Sequence, residues 1–148
     1  MYILGIISHF HNSSAALIKD GEIVAACEEE RFNREKHSCN FPYHAINYCL
    51  TAADIDIDKV KHVGFAWNPL LEMKFGIKHF LKYFPGAINL LKESAADVSL
   101  FERYGFFIRL KDIIKKRFPH TRLYRLHFIE HHLAHTASAF YASSFKEA

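Results

Sequence analysis

Residues 2–27 read YILGIISHFHNSSAALIKDGEIVAAC, and this stretch decides the fold. Tyr2 to Ile7 is a short apolar run rich in isoleucine, the composition of a buried strand. Ser8 to Ser13 is a polar turn that carries two histidines and an asparagine. Ser14 to Ile18 resumes the apolar pattern. Lys19-Asp20-Gly21-Glu22 places Asp-Gly at the centre of a tight hairpin, where the turn needs residues that accept positive φ. Ile23 to Cys27 then forms a third strand. Three strands joined by short turns predict an antiparallel meander.

Beyond the meander, Glu28 to His37 is a polar loop. Phe41-Pro42 opens a helix, since proline suits the first turn. Ala45, Ile46, Tyr48, Cys49 and Leu50 give that helix its apolar face. Asp54 to Asp58 is a polar connection, Val60 to Trp67 a fourth strand, and Asn68-Pro69 its end. Leu70 to Leu91 and Val98 to Phe118 carry apolar residues at helical spacing, with Pro85-Gly86 breaking the first. The simplest reading makes this aromatic-rich pair core and cover; a partner-binding or lipid-facing surface is the alternative. Leu123 to Ile129 is a fifth strand. His131 to Tyr141 is a last helix, whose Ala134, Ala137 and Ala139 predict close packing on the sheet. The order β-β-β-α-β-α-α-β-α is an α/β layout, with the meander extended by strands reached through helices. No repeat or linker divides residues 1–148, so a single domain is expected.

The 148 residues suffice for one core, and half are hydrophobic. The net charge of +3 is mild and not gathered into one stripe, which argues against a nucleic-acid partner. The basic tract from Lys111 to Arg125 reads as a solvated helix face. The three cysteines, Cys27, Cys39 and Cys49, have no CxxC spacing, so reduced thiols and a cytoplasmic setting are expected. No signal-peptide pattern is present, and no run approaches the roughly 18 apolar residues of a membrane span. Among the eleven histidines, His44, His62, His79, His120 and His127 have no obvious partner in sequence.

Three clusters carry chemistry. In the first, His9-Phe10-His11-Asn12-Ser13-Ser14 lies at a strand end, where small polar residues expose backbone N–H groups and hydroxyls suited to phosphate. There His11 could donate to an oxyanion or act as a general acid; an ordinary Asn-Ser turn is the plain alternative. In the second, Glu28-Glu29-Glu30 abuts Arg31, Arg34, Lys36 and His37. Its basic half could hold a phosphate or carboxylate, against the alternative of a solvated loop with internal ion pairs. In the third, Glu130-His131-His132-Leu133-Ala134-His135 puts His131 and His135 four apart on one helix face, where two imidazoles can grip one metal ion. No glutamate occupies the general-base position of a His-Glu-x-x-His protease. Iron, zinc or another borderline metal would suit, with at least one further ligand. A chance pairing in a histidine-rich chain is the alternative, and His132 faces elsewhere.

Taken together, three strings resemble the carbamoyltransferases of nodulation-factor and antibiotic biosynthesis. They are Phe10-His11-Asn12-Ser13-Ser14-Ala15-Ala16-Leu17; Glu28 to Phe32 with Arg34, Lys36 and His37; and Glu130 to His135 with Ala137 to Tyr141. The resemblance is collinear and runs almost end to end; only residues 70–120 lack a sharp motif. It implies an actin-like ATPase (ribonuclease-H-like) lobe, related to the enzymes that transfer threonylcarbamoyl to tRNA. It implies transfer of a carbamoyl group, drawn from carbamoyl phosphate and ATP through carbamoyl-adenylate, to a substrate hydroxyl. His131 and His135 match the family's metal ligands, the metal being a divalent ion, Fe(II) in this fold. His11 and Lys36 match residues that flank the carbamoyl-adenylate, with Asn12, Ser13 and Arg34 beside them. Asn12 stands where the family usually has aspartate. The family continues with an Asp-Gly strand, a second lobe and an adenylate-forming region, so the chain reads as a truncated N-terminal lobe, inactive alone. Two other readings share these residues: a relative of the tRNA threonylcarbamoyl-transfer proteins, and a non-catalytic metal- or partner-binding module.

Overall fold

The Asp-Gly hairpin forms where its sequence places it. Asp20 and Gly21 take φ of 51° and 94°, the left-handed values this tight turn requires. In the computed structural model, which describes residues 1–9, 12–86, 100–119 and 124–147, strands β1 (Tyr2–Ile7), β2 (Ser14–Lys19) and β3 (Glu22–Glu28) form the meander. β1 pairs antiparallel with β2, and β2 with β3. Two parallel strands extend the sheet, β4 (Val60–Phe65) beside β1 and β5 (Arg125–Phe128) beside β4. The five-stranded order is β3-β2-β1-β4-β5. This is a mixed α/β fold in which β4 and β5 are each reached through helices.

Among the described residues the helices are α1 (Glu30–Asn33), α2 (Tyr43–Ala52), α3 (Pro69–Tyr83), α4 (Leu100–Arg117) and α5 (His131–Tyr141). A 3-10 turn spans Ile57–Lys59. α1 is a short helix where the sequence predicts only a polar loop. α5 has the predicted bounds. α3 stops at Tyr83, ahead of Pro85-Gly86, because the residue before a proline is driven out of helical conformation. The rest of the predicted Leu70–Leu91 helix, the start of the predicted Val98–Phe118 helix, Leu123 and His120 lie outside the described residues.

Side chains alternate across the sheet, so one face is filled and becomes the core. Leu4 lies opposite Leu17 and Val63, and Ile6 opposite Ala15 and Phe65. All six are buried. Ala45, Ile46, Cys49 and Leu50 of α2 cover this face, as do Phe106, Phe107, Leu110 and Ile114 of α4. Phe65 meets Phe106, Phe107 and Phe128 with ring centroids 5.5–6.2 Å apart. Each such fully buried side chain contributes about 1.5–3 kcal/mol.

Two sequence expectations are corrected here. α3 is not core: only Pro69 is buried, and Leu70 and Leu81 are 71% and 72% exposed. α5 does not pack closely on the sheet; none of its residues is buried, and Leu133 is exposed. The aromatic residues of α4 already occupy the contacts around Phe65 and Phe128. Among the described residues no helix is long and apolar enough to cross a membrane.

Candidate functional site

Because β1, β4 and β5 run parallel, their C-terminal ends meet at one edge of the sheet. The segments that leave that edge are Ser8–Ser13, Ala66–Asn68 and Ile129–His131. In open α/β sheets this is where ligands bind. Backbone bonds lock the edge: Ala66 N donates to Ile6 O at 3.1 Å and Ile129 N to Phe65 O at 2.9 Å.

At its β5 corner, Glu130 has extended backbone and caps α5. Its carboxylate accepts from His132 N at 3.1 Å and Leu133 N at 2.7 Å, and His132 Nδ1 lies 2.8 Å from Oε1. These donors hold the Glu130 carboxyl down at about 2, the His132 side chain contributing most and the two backbone N–H groups next. The cap leaves His131 free to turn inward. His131 Nδ1 donates to the carbonyl of Ala66 at 3.1 Å, which leaves Nε2 with its lone pair. His135 Nε2 stands 3.1 Å from that atom, one turn along the helix. Trp67 flanks His131, ring centroids 5.1 Å apart. Two nitrogens this close can both reach one ion through arms of about 2.1 Å, so the donor set fits a borderline metal. It supplies two ligands; no group of three or more His, Cys, Asp or Glu suited to a metal gathers among the described residues. His132 turns away to Glu130, as the helical spacing predicts.

At the β1 corner, His9 and Asn12 take positive φ of 66° and 58°. His9 N donates to Cys39 O and Ser13 N to Ser38 O, at 3.0 and 2.9 Å. The His9 ring stacks on Phe106 with centroids 3.5 Å apart, and burial pushes its pKa down. His37 Nδ1 donates to Asn12 Oδ1 at 2.9 Å. Ser13 is buried, and its Oγ has no hydrogen-bond partner among the described residues. The structure thus brings Asn12 and Ser13 together with the segment holding Arg34 and Lys36. Both of those side chains are exposed. His11 lies outside the described residues. What this corner and the histidine pair share is the C-terminal edge of the sheet.

Several features escape the sequence reading. Glu29, the middle of three glutamates, is buried; its carboxylate accepts from Ala45 N at 2.9 Å and His44 N at 3.2 Å, with His44 Nδ1 at 2.6 Å. His44 therefore has a partner. So do His62 and His127, whose Nδ1 and Nε2 lie 2.9 Å apart across β4 and β5, while His79 packs on Tyr83. Only the register of strands 65 residues apart could have paired the first two. A groove of about 500 Å³ also opens beside His131, walled by Trp67, Leu71 and Phe75.

A family model described as the carbamoyltransferase N-terminus matches residues 2–148. An uncharacterised protein of Synechocystis sp., sll1178, is 39% identical over 99% of this chain and 24% of its own length. The nodulation protein NolNO of Sinorhizobium fredii is 29% identical over 93% of this chain and 18% of its own length. An uncharacterised protein of Methanocaldococcus jannaschii, MJ1051, is 44% identical over 42% of this chain. The chain spans about a quarter or less of the length of these relatives.

Proposed function

The chain belongs to the carbamoyltransferase N-terminal family, and from that premise we propose that it is the N-terminal part of an ATP-dependent O-carbamoyltransferase. The actin-like, ribonuclease-H-like reading of the lobe is supported by the sheet order β3-β2-β1-β4-β5, a meander extended on one side by two parallel strands. The three free cysteines fit a cytoplasmic setting.

In the proposed reaction the donor is carbamoyl-adenylate, made from carbamoyl phosphate and ATP by a further region of the enzyme. The acceptor's hydroxyl oxygen forms a bond to the carbamoyl carbon. The bond from that carbon to the adenylate oxygen breaks, and AMP leaves with the electron pair. The hydroxyl proton passes to solvent or to a neutral imidazole at the site. His11 and Lys36 stabilise the charge that grows on the leaving group and the carbonyl oxygen. Asn12, Ser13 and Arg34 position the nucleotide. His131 and His135 hold a divalent ion, Fe(II) by family resemblance. When bound, such an ion supplies Lewis-acid polarisation of the carbonyl.

The observation that carries this reading is the approach of His131 Nε2 to His135 Nε2 at 3.1 Å, with the other His131 nitrogen tied to Ala66. Metal analysis of the chain with His131→Ala and His135→Ala tests it. Both variants are expected to lose bound iron or zinc. Wild-type stoichiometry in both would remove the metal site from the proposal.

A further inference from the structure

We infer that the groove between the first turns of α3 and the start of α5 holds the acceptor, and that it selects an acceptor carrying its hydroxyl on a largely apolar body. This rests on the transfer reading above and adds the acceptor's place and chemistry. The groove, at about 500 Å³, has the size of a small-molecule site. Its apolar walls are Trp67, Leu71 and Phe75, with Gly76 and His79 further along α3; Asn68 and Glu72 of the start of α3 and Glu130, His131 and His132 of the start of α5 complete the lining. Trp67 forms the link: its ring lies 5.1 Å from that of His131. A molecule lying against the indole is therefore delivered to the edge of the histidine pair.

The apolar walls set the selectivity. A polyol entering here would surrender water from several hydroxyls and meet polar groups already engaged, Asn68 with Leu71 N, Glu72 with Trp67 Nε1 and Glu130 with His132 N and Leu133 N, which is costly. An apolar body loses nothing on desolvation and leaves its one hydroxyl at the His131 end. The indole cannot turn to serve other hydroxyls freely, because its Nε1 donates to Glu72 Oε2 at 2.7 Å.

Gly76 is the second observation. It sits inside α3, where glycine is the least favourable residue short of proline. Its φ is helical rather than positive, and a Cβ built there meets nothing within 4 Å. Neither backbone conformation nor packing requires a glycine here. What the missing side chain does is keep the groove open.

Trp67 is the chain's one tryptophan, so its fluorescence reports on the groove directly. Metal-free protein titrated with phenethyl alcohol or cyclohexylmethanol is expected to show a saturable change, and none with glucose over the same range. Gly76→Leu is expected to weaken the response about tenfold or more, with circular dichroism unchanged. Phe75→Asp, at an exposed position that folding does not need, should do the same if the leucine variant folds poorly. No saturable response, an equal response to glucose, or an unaltered response in both variants would overturn the inference. Because no metal is present, such a failure leaves the reading of His131 and His135 standing. Loss of that reading in the metal analysis leaves the groove result standing in turn.

Discussion

His37 Nδ1 lies 2.9 Å from Asn12 Oδ1, and this contact joins loops 25 positions apart in the chain. Both residues have left-handed backbone, with φ of 58° at Asn12 and 55° at His37. Asparagine tolerates that conformation better than other non-glycine residues. Asn12 therefore fills two needs, a bond to the Arg34–His37 segment and an unstrained turn. Asn12→Ala is expected to lose both, at about 1–2 kcal/mol. Asn12→Gly should lose only the bond and recover part of the difference. Guanidinium denaturation of the three proteins measures the order.

Glu29 ties the same segment to the core. It is 2% exposed, and its carboxylate receives the first free N–H groups of α2 at His44 and Ala45. Glu29→Ala would strand those donors and is expected to cost about 2–4 kcal/mol. Glu29→Gln keeps one acceptor oxygen and should cost less. Thermal and denaturant midpoints of the two variants test this, and equal losses would argue against a capping role.

These two contacts show what is legible in sequence and what is not. Local chemistry reads directly: Asp20-Gly21 marks the hairpin, Pro85-Gly86 bounds α3, and His131 to Tyr141 is the helix it resembles. Contacts between distant segments do not read, because spacing along the chain carries no register. Nothing in Glu28-Glu29-Glu30 says which carboxylate turns inward; that follows from where β3 ends and α2 begins. Likewise α3 has the apolar periodicity of a buried helix, yet its side chains stay exposed because α2 and α4 fill the core face. The histidine pair was visible from helical spacing alone. Its anchor on Ala66 was not, since that carbonyl is presented by another strand's end.

The Glu130 cap makes the start of α5 sensitive to acid. Its carboxyl is held at about 2, against an ordinary 4.5, by the His132 side chain first and then the His132 and Leu133 N–H groups. A carboxyl depressed in the folded state contributes stability above its unfolded pKa and loses it as pH falls through the folded one. The cap is thus complete above about pH 4.5 and drains away toward pH 2. The protection factor of the Leu133 N–H, the exchange rate of an unstructured amide at the same pH divided by its own, should fall with pH across that window, and Glu130→Gln should remove that pH dependence.

The same corner is sensitive to volume at Gly64, in the strand that leads to Ala66. A Cβ placed on Gly64 would lie 3.1 Å from Ile129 Cδ1, tighter than ordinary contact. The obstacle is a single methyl at the end of a side chain, so it can move, but Ile129 immediately precedes the Glu130 cap. Gly64→Val is expected to cost about 1–3 kcal/mol through overpacking. It should also weaken metal binding, because a displaced Ile129 carries Glu130 and His131 with it. Ile129→Val removes only the offending Cδ1 and alone should cost about 0.5–1.5 kcal/mol. If the clash is the cause, the double variant Gly64→Val with Ile129→Val is less destabilised than the sum of the singles. Denaturant midpoints and metal affinity, read as a double-mutant cycle, report that coupling. Strict additivity would mean that Gly64 acts on the site by some route other than Ile129.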